Sequence, residues 1–303
     1  MKHLLTLEQL SPTEINEIIT LASEYKKELK EGIPHKKNLN GKTLGMIFEK
    51  SSSRTRVSFE VGMYQLGGYA LFLSSRDTQL GRGESIRDSA RVFGRYLDGI
   101  MIRTFKQSDV EDLAKYSGIS IINGLTDYCH PCQVLADLMT IREHKGSFNG
   151  LKVCYIGDGN NMANSIIVGA LKTGMRVSVA TPKGYEPHKH IIEFANSFDG
   201  MFELTHDTIS AAKNADVIFT DVWSSMGMED EAELRKKAFK GFCVNKELLS
   251  VANPECMVQH CLPAHKGEEI TEEVFEKHAG EIFDEAENRL HAQKAVLYLT
   301  MKD

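Results

Sequence analysis

Thr43-Leu44-Gly45-Met46-Ile47-Phe48-Glu49-Lys50-Ser51-Ser52-Ser53-Arg54-Thr55-Arg56 is the stretch that settles the fold class. Thr43–Phe48 is a run of strand length, mostly apolar instead of alternating. A strand of that kind is buried on both faces, as in a parallel sheet covered by helices. Arg54–Leu66 then takes up helical spacing. Between the two lie hydroxyls and arginines. Strand, donor-rich turn and helix make a βα unit. Ligands of open parallel sheets sit outside the carboxyl ends of the strands, so the residues after each strand matter most.

The same alternation extends in both directions. Tyr69–Leu73, Gly99–Ile102 and Ile119–Ile122 read as strands, with helical stretches at Ser85–Leu97 and Ser108–Tyr116. A second series runs Lys152–Ile156, Arg176–Ala180, Val217–Thr220 and Met257–Gln259. Two α/β domains with doubly wound parallel sheets are expected. Ahead of them Ser11-Pro12-Thr13-Glu14 is a capping box with proline at the first helical position, and Gly32-Ile33-Pro34 closes that helix. The polar stretch Lys145–Gly150 marks a boundary, and Asp284–Leu299 reads as a long terminal helix. The expected domains are residues 1–146 and 147–284, with 285–303 packing back on the first.

Composition narrows the class of function. A chain of 303 residues is long enough for two lobes. With 36 basic and 42 acidic residues the net charge is −6, and no basic tract suits it to nucleic acid. No apolar stretch approaches the roughly 20 residues that span a bilayer. The start, Met1 to Leu7, lacks the apolar core of a signal peptide. A cytoplasmic protein without membrane or nucleic-acid partners is expected. Six cysteines are too few for a disulfide scaffold.

Each strand end supports competing readings. Ser52, Ser53, Arg54 and Thr55 at a helix start suit a phosphate, or form a serine cap beside solvated arginines. They are not a Walker loop, which needs glycines and a lysine before Ser/Thr. Arg103 is structural unless it converges with Arg54. Pro131 suits the first position of a helix, which would put His130 and Gln133 at its N-terminus. Cys129 and Cys132 read alternatively as a redox pair or half a zinc site. Gly157-Asp158-Gly159 opens like a dinucleotide fingerprint. Met162 stands at the third glycine position, and Thr181-Pro182 supplies no acid for the ribose, so a nicotinamide cofactor is not expected. Asn161 offers an amide there. Asp221 is an amine ligand or a cap. Cys261 beside His260 suggests a thiol nucleophile, but neighbours on a strand face opposite ways. Arg289 is a helix-surface charge or an anion ligand.

Ser52-Ser53-Arg54-Thr55-Arg56, Arg103-Thr104-Phe105, His130-Pro131-Cys132-Gln133, Asp221-x-x-x-Ser225-Met226-Gly227 and His260-Cys261-Leu262-Pro263 together resemble the aspartate/ornithine carbamoyltransferase family, in its motif order and over most of the chain. The Ser-Met-Gly and His-Cys-Leu-Pro motifs resemble its ornithine branch. Ser53 departs from the threonine common there and keeps the hydroxyl. The resemblance implies two α/β domains joined by two helices. It implies carbamoyl transfer from carbamoyl phosphate to the δ-amine of L-ornithine in arginine metabolism, with no metal or cofactor. Ser52, Ser53, Arg54 and Thr55 would hold the phosphate. Arg103, His130, Pro131, Cys132, Gln133 and Arg289 would complete that site. Gln79 would come from a neighbouring subunit of a homotrimer, with active sites at subunit interfaces. Asn161, Asp221, Ser225 and Met226 would bind the amino-acid end of ornithine, and Cys261 and Leu262 would line its δ-amine.

Overall fold

Local signals place the first helix. In the computed structural model, which describes residues 1–74, 83–224 and 229–302, α1 spans Pro12–Lys30. Ser11 Oγ accepts from the Glu14 amide, and the Glu14 carboxylate accepts from the Ser11 amide at 2.8 Å, so two orphan donors are satisfied reciprocally. The helix buries Ile15, Ile18, Ile19, Ala22 and Tyr25. The chain continues through β1 (Thr43–Phe48), α2 (Ser53–Leu66), β2 (Tyr69–Ser74), α3 (Ile86–Phe93), β3 (Gly99–Arg103), α4 (Gln107–Tyr116), β4 (Ser120–Leu125) and α5 (Pro131–Lys145). Gly67 ends α2 in the left-handed region at φ 88°, where a side chain would be strained.

β5 (Lys152–Ile156), α6 (Asn161–Lys172), β6 (Arg176–Ala180), α7 (Lys189–Asn196), β7 (Phe202–Thr205), α8 (Thr208–Ala212) and β8 (Val217–Thr220) follow. Then come α9 (Ala232–Ala238), α10 (Lys246–Val251), β9 (Met257–His260), α11 (Glu272–Lys277) and α12 (Ala279–Met301). Residues 1–136 with 288–303 form one unit, and 137–287 another. α5 carries the chain out of the first unit and α12 brings it back.

Each unit holds one wholly parallel sheet, ordered β2-β1-β3-β4 in the first and β7-β6-β5-β8-β9 in the second. The expected pair of doubly wound α/β sheets is therefore present. Strand order reverses between β1 and β3 in one sheet, and between β5 and β8 in the other. Those are the places where a parallel sheet opens a crevice for a ligand. Ile47, Ile100, Ile102, Val110, Leu113 and Ile121 pack one core. Ile156, Ile218, Phe239, Val258 and Ile282 pack the other. Burying side chains of this size contributes about 2 kcal/mol each.

Several elements differ from the sequence reading; β4, for one, runs Ser120–Leu125 and not Ile119–Ile122. β7 was not anticipated: it is a sheet edge with a partly exposed Phe-Glu-Leu-Thr pattern, so it lacks the apolar run of a central strand. α3 stops at Phe93 instead of Leu97: the Arg95 and Tyr96 amides bond only three residues back, to Val92 and Phe93, in turns, and Gly94 sits against the Ser117 carbonyl, where a Cβ would approach that oxygen to 1.9 Å. The terminal helix begins at Ala279 and not at Asp284. Glu281, not Asp284 or Glu285, is therefore the acid in its first turn.

Candidate active site

In the first unit the register Phe48↔Arg103 brings the ends of β1 and β3 side by side. The Arg103 carbonyl accepts from the Glu49 amide at 2.9 Å, which fixes the turn leading to α2. Ser52 caps α2: its Oγ accepts from the Thr55 amide at 3.2 Å and donates to Thr55 Oγ1 at 3.1 Å. Ser53 and Arg54 are exposed on the first turn, while Thr55 and Arg103 are buried. Ser58 Oγ donates to the Arg54 carbonyl at 2.6 Å.

Arg289, from α12, reaches this turn. Its Nη1 donates to Gln133 Oε1 at 2.6 Å and its Nη2 to Thr55 Oγ1 at 3.3 Å. Pro131 is the first residue of α5, so His130 stands at that helix's N-terminus. Burial drives the His130 pKa well below its ordinary value, and Arg289, Arg103 and Arg54 push it the same way. His130 is therefore a neutral imidazole among three guanidinium groups at neutral pH. The set suits an anion: guanidinium groups, a helix N-terminus and hydroxyls at one strand-order reversal. Arg54, Arg103, His130, Gln133, Thr55 and Arg289 come together here. Cys132, next to them in sequence, turns its Sγ to the Asn123 carbonyl at 3.3 Å.

In the second unit the register Thr220↔His260 sets Asp221 beside Cys261. Cys261 Sγ donates to Asp221 Oδ1 at 3.2 Å, and Asn160 Nδ2 donates to Asp221 Oδ2 at 3.0 Å. Asn160 also caps α6, accepting from the Met162 and Ala163 amides. Burial and the Asp221 carboxylate push the Cys261 thiol well above its ordinary pKa, so it is a thiol and not a thiolate. His260 does not activate it. Its Nδ1 accepts from the Leu262 amide at 2.9 Å, which leaves Nε2 to donate to Glu269 Oε1 at 3.1 Å. Leu262 sits at φ 59°, a backbone conformation costly for leucine, before a cis Leu262–Pro263 bond. Asn161 is the half-buried first residue of α6.

Comparison with known proteins also gives two parts, with the C-terminal helix assigned to the second part and not to the first. Residues 2–143 match the carbamoyl-P binding domain of aspartate/ornithine carbamoyltransferases, and residues 149–300 match their Asp/Orn binding domain. The chain belongs to the aspartate/ornithine carbamoyltransferase family. An ornithine carbamoyltransferase of Syntrophotalea carbinolica is 56% identical over 99% of both chains. One of Thermococcus kodakarensis is 54% identical over 99% of this chain and 96% of its own. The structure of the Pyrococcus furiosus ornithine carbamoyltransferase superposes with a TM-score of 0.94 at 54% identity, covering 99% of this chain and 97% of that one. The anabolic enzyme of Campylobacter jejuni gives 0.93 at 46% identity, covering 99% of each chain.

Within this family frame, Gln79, Ser225 and Met226 lie outside the described residues. Two contributors escaped the sequence reading. Asn160 was passed over for Asn161, although asparagine immediately before a helix is a cap signal. Glu285 accepts from the His260 amide at 2.9 Å, a contact across 25 residues that no local pattern announces. The dinucleotide-like glycines are structural. A Cβ on Gly159 would approach the Glu186–Pro187 backbone to 2.3 Å. The redox reading of Cys129 and Cys132 has no physical support: burial pushes both thiols up to about 12, and both are free. Asp221, His260 and Cys261 carry donor atoms within 4.8 Å of one another, but both His260 nitrogens are engaged with protein groups. Among the described residues no helix is long and apolar enough to cross a membrane.

Proposed function

We propose that the chain transfers the carbamoyl group of carbamoyl phosphate to the δ-amine of L-ornithine, giving L-citrulline and phosphate. The convergence of Arg54, Arg103 and Arg289 on His130 carries the reading, because it builds a site for a small anion in a chain of negative net charge. The first unit holds carbamoyl phosphate. Ser52, Ser53, Arg54 and Thr55 bind its phosphate, with Gln133 and Arg289 beside them. Thr55 Oγ1 accepts from both Ser52 and Arg289, which directs its own proton outward as a donor. Thr55, Arg103 and His130 serve the carbamoyl oxygen, an effect worth roughly 3–4 kcal/mol per well-placed donor.

The second unit holds ornithine, with Asp221 and Asn161 at the amino-acid end and Cys261 and Leu262 toward the δ-amine. An alkyl amine with pKa of about 10.4 is neutral in roughly one molecule in 2,500 at pH 7, a cost of about 4–5 kcal/mol. The amine nitrogen attacks the carbamoyl carbon, the carbon–oxygen bond to phosphate breaks, and the displaced proton leaves on phosphate. Arg54 and Arg103 stabilise the leaving charge. Alignment of the two substrates supplies most of the remaining acceleration.

Homotrimer formation is part of the proposal, with Gln79 contributed by a neighbouring subunit. β2 is an open sheet edge that exposes Tyr69, Leu71 and Phe72, and α2 exposes Val57 and Tyr64. Arg56 covers the Phe72 ring at 3.8 Å, which ties α2 to β2. An exposed apolar edge of this kind among the described residues suits a subunit contact.

A citrulline assay with carbamoyl phosphate and ornithine tests the activity, with aspartate and putrescine as competing acceptors. Arg54→Ala should lose two or more orders of magnitude in turnover while the fold persists. Near-normal turnover would remove Arg54 from this role, and preference for another acceptor would overturn the ornithine assignment. Light scattering that gave a fully active monomer would overturn the trimer.

A further inference from the structure

Gln293 lies one helical turn beyond Arg289 on α12 and is wholly buried. Its neighbours define its amide orientation: guanidinium donors lie on one side and a hydroxyl on the other. Oε1 accepts from Arg289 Nε at 3.2 Å and from Nη2 at 2.8 Å, and Nε2 donates to Ser58 Oγ at 2.5 Å. Ser58 passes its own proton to the Arg54 carbonyl. An unbroken chain of hydrogen bonds therefore runs Arg289–Gln293–Ser58–Arg54 backbone. It ties a guanidinium from the C-terminal helix to the turn that carries Ser53, Arg54 and Thr55.

We propose that Gln293 is a positioning residue for the phosphoryl anion: it holds the Arg289 guanidinium in register with the first turn of α2. This rests on the reading of Arg289 as a carbamoyl phosphate ligand. A neutral amide suits the task. It accepts two N–H bonds from Arg289 without cancelling the positive charge the anion needs, whereas a carboxylate would form an ion pair and compete with the substrate. An apolar residue of the same length would fill the space and leave the arginine side chain to sample other rotamers. Gln133 and Thr55 still accept from Nη1 and Nη2 of Arg289, so the effect is on the orientation of the guanidinium.

Steady-state kinetics on the full-length enzyme test this, with each substrate varied at saturation of the other and a thermal melt for every variant. In Gln293→Met the KM for carbamoyl phosphate should rise roughly ten-fold, the scale of one hydrogen bond to a charged group. The KM for ornithine should stay within about two-fold, and kcat should fall by less than the carbamoyl phosphate KM rises. Gln293→Glu keeps the acceptor for Arg289 but adds a negative charge, and should raise that KM at least as far. Ser58→Ala should move it less, in the same direction. Arg289→Ala separates the two claims. If it leaves the carbamoyl phosphate KM unchanged, the reading of Arg289 fails. If it raises that KM while both Gln293 variants leave it unchanged, the positioning role alone is wrong. Parallel changes in both KM values, kcat and melting point would make Gln293 a packing residue and overturn the proposal.

Discussion

Cys261 donates its thiol proton to Asp221 at 3.2 Å. The contact joins the ends of adjacent strands β8 and β9 and assigns the cysteine a hydrogen-bonding role. Because burial and Asp221 both keep the thiol protonated, direct attack on carbamoyl phosphate by sulfur is disfavoured. Cys261→Ser keeps a donor to Asp221, whereas Cys261→Ala leaves that carboxylate oxygen one bond short. The serine variant should retain turnover with a raised ornithine KM, and the alanine variant should be weaker for ornithine by a further factor of roughly five. Measuring both KM values checks the order. Trapping a carbamoylated Cys261 would contradict it.

His130 makes stability fall in acid. Its folded pKa lies well below 6.5 because of burial and three nearby arginines, while in the unfolded chain it is near 6.5. The unfolded state therefore binds more protons as pH drops below that value, and stability is lost from there toward the folded pKa. Above 6.5 the contribution is fully present. Urea unfolding between pH 7.5 and 5.5 should show a steeper loss in wild type than in His130→Gln, by up to about 1.4 kcal/mol per pH unit. Equal slopes would show that His130 titrates normally.

Gly159→Ala should be costly. The added Cβ would meet the Glu186–Pro187 backbone at 2.3 Å, and backbone cannot swing aside as a flexible side chain can. A loss of about 1–3 kcal/mol is expected, because overpacking forces the chain to shift. Gly159 precedes Asn160, which holds Asp221, so the ornithine KM should rise while that for carbamoyl phosphate changes little. An unaltered melting point and unaltered kinetics would refute the steric account.

Arg235 joins the loops after β5 and β8. Its Nη1 donates to Asp158 Oδ2 and to the Trp223 carbonyl, both at 2.8 Å, and both charged partners are buried. Arg235→Met should destabilise by about 3–5 kcal/mol, because it strands a buried carboxylate. Adding Asp158→Asn should recover part of that loss. Chemical denaturation of the two single variants and the double closes the cycle, and strict additivity would show that the pair does not interact.

Much of the fold was legible because its signals are local. The Ser11 capping box and the apolar run Thr43–Phe48 predict elements from contacts a few residues apart, and β1, β5, β6 and β8 begin and end where the pattern does. The donor-rich segment Ser52–Thr55 was visible for the same reason. β7 was not, since an edge strand is solvated on part of its surface and its pattern blurs. The start of α12 was missed because the charged residues Asp284 and Glu285 resemble a first turn while lying in the second.

The sequence by itself determined two parallel-sheet units, the positions of their strands and the residue types at the strand ends. Period, capping and turn chemistry act over one or two turns of chain, so they can be read in order. Only the tertiary structure decided which strand ends adjoin, through the orders β2-β1-β3-β4 and β7-β6-β5-β8-β9. It brought Arg289 to Gln133, 156 residues away, and to Thr55, 234 residues away. It also decided protonation, leaving His130 neutral and Cys261 a thiol. Burial and neighbouring charge govern those states, and both are properties of packing, not of order along the chain.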